Sequence, residues 1–432
     1  MPDTPDIARS ERPLASAPSF DLPALRRRTT AVLAGSQVLG GLGVATAIAL
    51  APVLAQQISG SESLSGFAST AAIVGTAVLS VPFATLMSAR GRRPGLTLAY
   101  LIGAAGAAVV VLAAVAGSFP LLLLGMTAFG ASSSANLQAR FAAADLAEEN
   151  QRGRAISRVV WATTIGAVTG PNIAAPAGRS VADLGVPAAA GPFLWSGVVF
   201  LMCALLVAVL LRPDPLLTAR ALAPPEADPR TGRSLRAGLT AVAASPRAKL
   251  ALLTVSVCHT AMVSVMVMTP VDLGHHGAGI ELIGVVISLH IAGMYAFAPV
   301  MGWLSDRVGR LGVIGLAVAL LACAALLAGT AGADHRQTAA GLFLLGLGWS
   351  AGLVSGSALL TDSVPPGARP AAQGLSDLVT NSCAGLGGAL SGVIAAQAGY
   401  GSLNLAAALL LLPVAALALA TRSRGEQPAG RP

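Results

Sequence analysis

The sequence predicts an all-α membrane protein of twelve transmembrane helices in two six-helix halves. Three observations predict it: charge is scarce, apolar blocks have membrane-crossing length, and basic clusters recur between alternate blocks. Of 432 residues, 54% are hydrophobic and only 11% are charged, and mean hydropathy is +0.74. A soluble domain carries roughly 25% charged residues, enough to cover itself with a water-facing surface. This chain lacks that supply. Its apolar blocks reach about 20 residues or more, the length that carries a helix across a hydrocarbon core of roughly 30 Å.

The blocks predict spans near 31–55, 66–87, 95–116, 119–143, 155–177, 191–211, 248–269, 280–303, 311–332, 338–361, 372–396 and 402–420. Spans three and four are parted only by Gly117, Ser118, Phe119 and Pro120, and spans eleven and twelve by Gly399, Tyr400 and Gly401. Glycine and proline make tight reversals there. Residues 1–30 read as an N-terminal tail. Of these, 1–25 are polar and proline-rich with no short apolar run ending in a small-residue cleavage site, so the first block reads as an uncleaved span. Residues 212–247 hold six prolines among arginines and acids. That stretch reads as a linker between halves 31–211 and 248–420, with a short amphipathic helix near 234–244, and residues 421–432 form a tail.

Net charge is +8. The basic residues form short clusters between apolar blocks instead of one patch, which argues for orientation signals and against a nucleic-acid partner. With the N-terminus cytoplasmic, every basic residue except Arg179 and Arg336 falls on the cytoplasmic side. The expectation is a multi-pass protein of the cytoplasmic membrane, both ends inside, working as a monomer in the bilayer. Cys203, Cys258, Cys323 and Cys383 all lie in apolar blocks and read as small buried hydrophobes.

Traces of duplication join the halves. Arg90-Gly91-Arg92-Arg93 follows span two and Val308-Gly309-Arg310 follows span eight, their glycines 218 apart. Asp145, Arg152 and Ala155 recur as Asp362, Arg369 and Ala372, each 217 residues later. Such repeats build transporters whose site lies between the halves.

Two motifs carry mechanism. Gly302-Trp303-Leu304-Ser305-Asp306-Arg307-Val308-Gly309-Arg310 sits between spans eight and nine. Its glycines suit a tight turn and close helix approach, Asp306 suits a helix N-terminus, and Arg307 and Arg310 suit a phosphate layer. The other reading is an ordinary positive-inside loop. The segment resembles the loop motif G-x-L-a-D-r-x-G-r-[KR] of the major facilitator superfamily, with Leu311 in the last place. The first-half counterpart keeps Gly91 and Arg92 but has Ser88 where that family has Asp. The resemblance implies a gating latch on that carboxylate, weaker in the first half. Gly166-Ala167-Val168-Thr169-Gly170-Pro171-Asn172-Ile173-Ala174-Ala175 in span five resembles g-x-x-x-G-P-x-x-G-G, the mark of the superfamily's drug:proton antiporter branch, with alanines for the last two glycines. Gly166 and Gly170 share a helix face and Pro171 favours a kink; plain GxxxG packing is the other reading.

The resemblance covers nearly the whole chain. It implies alternating access, with spans 1, 4, 7 and 10 lining a cavity assisted by 2, 5, 8 and 11, and a proton-coupled exporter of small, lipophilic or drug-like molecules. An importer or uniporter of a metabolite or metal complex is the alternative. The branch's usual mid-span-four basic residue and span-one acid are absent, so coupling falls to other groups. Ionisable residues inside spans are costly and default to function. Asp377 in span eleven, one helical turn from Asn381, is such a group, or else a cap. His259 and His290 suit a proton relay, or else are hydrogen-bonded core imidazoles. Ser132, Asn136 and Arg140 form a stripe at i, i+4 and i+8 of span four, and Gln138 lies to one side. Tyr295, Phe297 and Trp349 read as an aromatic cavity wall or as packing. His259, Met262 and Met266 share a face beside Cys258, a spacing far commoner in packing than in metal sites.

No G-x-x-x-x-G-K-[ST] loop, metal cluster or catalytic set is present in the sequence. The expectation is a transporter without cofactors, driven by protons and not by ATP. A receptor or scaffold would need long outer loops or a soluble domain, which the sequence lacks.

Overall fold

The computed structural model describes residues 21–48, 50–60, 64, 66–181, 185–222, 235–278 and 280–425. The chain folds as helices α1 (Leu22–Ile48), α2 (Ala51–Ser59), α3 (Gly66–Arg90), α4 (Arg92–Ala116), α5 (Phe119–Asp145), α6 (Arg152–Arg179) and α7 (Gly191–Leu210). Two short helices follow, α8 (Pro215–Leu222) and α9 (Leu235–Ala244). The second set is α10 (Pro246–His275), α11 (Ile280–Tyr295), α12 (Ala298–Val308), α13 (Arg310–Thr330), α14 (His335–Ser363), α15 (Arg369–Leu409) and α16 (Leu412–Gly425).

Nine helical stretches among the described residues are long and apolar enough to cross a membrane. One, Arg369–Thr421, is 53 residues long and turns at Gly399 (φ 84°, ψ 165°), so it supplies two crossings. α5 and α6 fall outside the nine because they are more polar, yet they run 27 and 28 residues. At about 1.5 Å per residue, either reaches across the hydrocarbon core. These eleven stretches make the twelve crossings the sequence predicts.

Prolines explain where the predicted spans break. The block read as one span over 280–303 is two helices, because Pro299 offers no N–H and its ring opposes the carbonyl four residues back. The first span likewise divides near residue 50, with Pro52 in the first turn of α2. The linker helix expected near 234–244 is α9; α8 has no counterpart in the sequence reading. Ser234 lies outside the described residues.

Among the described residues, the eight positive-φ glycines pair between the two sets of helices: Gly60 with Gly277, Gly91 with Gly309, Gly117 with Gly332, and Gly185 with Gly399. Gly91 and Gly309 also have nearly the same φ, 93° and 95°. A repeated turn at the same place in each set marks a duplicated backbone as well as a duplicated sequence.

The first set builds its own core, from Val32 to Leu211. The cores of the second set take in Phe141 and Ala144 of α5 and Ile156 and Val160 of α6. Outside these cores, Leu205, Leu326, Leu405 and Leu419 stand exposed, as lipid-facing side chains do. Cys203 and Cys258 are buried as expected, but Cys323 is exposed on α13 and Cys383 is only partly buried on α15. An apolar block in a membrane helix has a lipid-facing side, and hydropathy alone does not separate it from the core.

Candidate functional site

The functional features gather where α3, α5, α7, α12 and α14 end and α4, α6, α10, α13 and α15 begin, here called the basic end. Asp377 lies two turns into α15, about 12 Å along the helix from its start. Its carboxylate accepts from Arg140 Nη2 at 2.9 Å and from Gln138 Nε2 at 2.7 Å. Both donors come from α5, in the other half. Asp377 and Arg140 are buried, 1% and 3% exposed. Arg140 also lies over the Phe141 ring at 4.7 Å, and its Nε has no hydrogen-bond partner. Asn381 donates to the Asp377 backbone carbonyl at 2.8 Å, so it closes a helical turn and does not hold the carboxylate.

The network continues through Arg92, at the start of α4 and fully buried. It donates from Nε to Asp145 Oδ2 at 2.8 Å, from Nη1 to Gln138 Oε1 at 3.0 Å, and from Nη2 to Gln373 Oε1 of α15. Gln138 thus joins two charged pairs. Arg369, at the start of α15, donates to the Thr361 carbonyl and feels the charge of Asp145. The second half repeats the arrangement: Asp362 of α14 holds Arg310 of α13 at 3.1 Å and Arg152 of α6. Each repeated Asp therefore sits between an Arg of its own half and an Arg of the other. Sequence offsets had marked Asp145, Arg152, Asp362 and Arg369 as a repeat, and the geometry gives the reason for it.

Asp306 closes the same end. Its carboxylate accepts from the backbone N–H groups of Gly153 and Arg154 at 2.9 Å each, at the N-terminus of α6, and from Arg310 at 2.6 Å. A helix N-terminus presents unpaired N–H groups and the positive end of its dipole, so a carboxylate is well placed there. The helices approach closely enough for this because Gly302 faces Gly153. A Cβ at Gly302 would lie 2.1 Å from Ser157 Oγ and 2.6 Å from the Gly153 carbonyl. Arg307 points away from the latch, stacks over Trp303 at 5.2 Å, and is exposed with it.

In the second half, three predicted residues come together. Trp349 of α14 donates to His259 Nδ1 of α10 at 2.8 Å and meets Tyr295 of α11 edge to face, ring centres 5.5 Å apart. Arg140 is close enough to act electrostatically on both His259 and Tyr295. Phe297 pairs with Phe343 instead.

Other predicted residues stand apart from this cluster. His290 is fully buried between α11 and α14, its Nδ1 2.8 Å from the Leu342 carbonyl. Ser132 bonds the carbonyl of Phe129 in its own helix and packs where α5 meets Gly103 of α4. Asn136 accepts from the Tyr100 hydroxyl at 2.8 Å, and Gln37 donates to its carbonyl. The span-four stripe is thus divided: its first two members bind within the first half, and only Arg140 crosses over. Gly166 and Gly170 press α6 onto α1, where a Cβ would lie 2.4 Å from Leu42 N and 2.6 Å from Ala45 Cβ. That is close packing within one half. The side chain of Pro171 lies outside the described residues. Met262 belongs to a hydrophobic core and Met266 packs on it. Among the described residues, no cluster of three or more His, Cys, Asp or Glu is arranged to hold a metal ion.

The sequence reading passed over Gln373, Asp214 and Arg220, and left Gln138 aside. A glutamine at position 373 carries no motif signal; only its place four residues before Asp377, on the same helix face, could have drawn attention.

Comparison with known proteins agrees with this architecture. The family profile described as Major Facilitator Superfamily matches residues 33–276 and 250–432. The chain is 37% identical over 397 residues to the uncharacterized MFS-type transporter YddS of Bacillus subtilis (strain 168), covering 90% of each chain. It is 28% identical over 393 residues to the riboflavin transporter RfnT of Brucella anthropi, covering 91% of this chain and 94% of that one. Among solved structures, the human organic anion transporter MFSD10 superposes with a TM-score of 0.70 at 19% identity, covering 91% and 99% of the two chains. A bacterial homologue of the iron transporter ferroportin, in an outward-facing state, gives 0.68 at 15%, with the same coverage. The span count, the repeated turns, the latch and these similarities agree, and the chain belongs to the Major Facilitator Superfamily of secondary transporters.

Proposed function

We propose that this transporter exports small organic molecules across the cytoplasmic membrane in exchange for protons, with the basic end facing the cytoplasm. The observation that carries the reading is Asp377, a buried carboxylate of one half held by Arg140 and Gln138 of the other. While ionised it ties the halves together at the basic end. A proton arriving from outside removes the charge that Arg140 pairs with and favours opening inward. In the inward-open state the proton leaves for the cytoplasm as solute is loaded; the restored tie then closes the basic end and turns the solute outward. One proton then travels in for each solute moved out. The described cross-half bonds cluster at the basic end, which fits a state closed toward the cytoplasm.

The His259–Trp349–Tyr295 cluster suits a planar, aromatic solute, which is also the chemistry of the riboflavin transporter relative. That relative favours a second reading, transport of a metabolite. Halves 31–211 and 248–420 rocking about their shared interface, with both termini cytoplasmic, complete the scheme.

The test is exchange in proteoliposomes with riboflavin and ethidium as probes. The expected result is movement of at least one probe driven by an imposed pH gradient and uncoupled from it by Asp377→Asn. Movement indifferent to the gradient, with Asp377→Asn neutral, would leave a facilitator.

A further inference from the structure

We infer that Arg220, on linker helix α8, is the first half's latch, replacing the carboxylate that Ser88 does not supply. In the second half, Asp306 accepts from the N–H groups of Gly153 and Arg154. The repeat offset of 217 carries Gly153 to Pro370 and Arg154 to Ala371, at the start of α15. Proline has no N–H, so a carboxylate at position 88 would meet one donor instead of two. Ser88 and Pro370 thus depart from the second-half pattern together.

Arg220 occupies the vacated role with reversed polarity. Its Nη1 donates to the Ser88 carbonyl at 2.7 Å, and its Nη2 to the Gly367 carbonyl at 3.3 Å. Ser88 ends α3 in the first half; Gly367 lies in the turn from α14 to α15 in the second. A guanidinium is suited to this, because its planar fork spans two acceptors at once. Asp214 fixes the base of the clamp. It accepts from Arg93 N of α4 at 2.7 Å and from Leu216 N and Leu217 N at 3.0 and 3.2 Å. Leu216 is fully buried. α8 is therefore pinned to the first half, and opening the basic end must part Arg220 from Gly367 while it keeps Ser88. The linker is a working part of the gate.

The inference rests on the basic end being the face that opens. Electron–electron distances between spin labels on Ala89→Cys and Pro365→Cys, both exposed, read the gate without any solute. Cys323→Ser and Cys383→Ser remove the accessible native thiols. Arg220→Ala is expected to raise the ratio of long to short distances on the order of tenfold, the scale of losing charged hydrogen bonds. Asp306→Asn does the same through the other latch, and exposed Arg27→Ala leaves the distribution unchanged. Adding Ser88→Asp with Pro370→Gly to Arg220→Ala restores the short distance, a rescue that an unfolded variant cannot show. An unchanged distribution in Arg220→Ala, where Asp306→Asn opens the gate, overturns the clamp alone. No change in either variant overturns the gate reading with it.

Discussion

Asp377 and Arg140, 237 residues apart, meet at 2.9 Å across the two halves with almost no exposure to solvent. A buried ion pair adds little net stability when formed, because desolvation offsets its attraction, but removing one partner strands a charge. Arg140→Leu should therefore cost about 3–5 kcal/mol in the closed state. Asp377→Asn, which keeps an acceptor for Gln138, should cost less. The double variant should recover much of the single loss, since the two sites act as one. Thermal unfolding in detergent of the two singles and the double checks this. Additive losses would mean that the pair is not coupled.

The glycine at the crossing of α12 and α6 gives a second prediction. A Cβ at Gly302 meets Ser157 Oγ at 2.1 Å, so any side chain there forces the helices apart at the latch. Gly302→Val should make buried Ser157→Cys reactive toward a water-soluble maleimide, while the same cysteine beside Gly302 stays protected. Equal labelling in both backgrounds would show that the crossing is not the seal.

The two repeated turns separate backbone strain from crowding. Gly91 and Gly309 have nearly the same positive φ with extended ψ, an essentially glycine-only conformation that costs a side-chain-bearing residue roughly 1–3 kcal/mol. Nothing lies within 4 Å of a Cβ at Gly309, whereas one at Gly91 would lie 2.4 Å from the Asp214 carboxylate. Gly309→Ala should lose only the strain, and Gly91→Ala should lose more, because it also dislodges the cap on α4. Adding Asp214→Ala should narrow the difference in unfolding temperature between the two alanine variants. A Gly91→Ala loss equal to that of Gly309→Ala would argue against the crowding.

Spans were legible in the sequence because each helix satisfies its own backbone, so hydropathy and proline position fix most boundaries without tertiary information. The latch around Asp306 was legible for a similar reason, since a carboxylate seeking a helix end shows in a local motif. Arg92–Gln373 and Arg140–Asp377 were not, although Asp377 stood out as an acid in an apolar block. Each joins residues more than 230 positions apart, and helix phase alone does not say which faces of two separate helices meet. Ser132 and Arg140 share a face by periodicity yet have different partners, because α5 packs on α4 at Ser132 and meets α15 only nearer its end, at Gln138 and Arg140. α8 escaped notice because eight residues are too few for a periodic signal.

The aromatic cluster yields the last prediction. Trp349 is buried and donates to His259, while Trp161, Trp195 and Trp303 are exposed. A solute stacking on this cluster should quench the Trp349 component of tryptophan emission, because only an indole near the solute is quenched on binding. Trp349→Phe keeps the ring but removes the N–H, so His259 loses its donor and is free to rotate. The expected outcome is loss of that quenching component together with a several-fold rise in KM and a nearly unchanged kcat. The gate at the basic end does not use this hydrogen bond, so its spin-label distances should stay as in the parent. A fall in kcat at constant KM would place Trp349 in the conformational step, and quenching that survives Trp349→Phe would move the solute away from this wall.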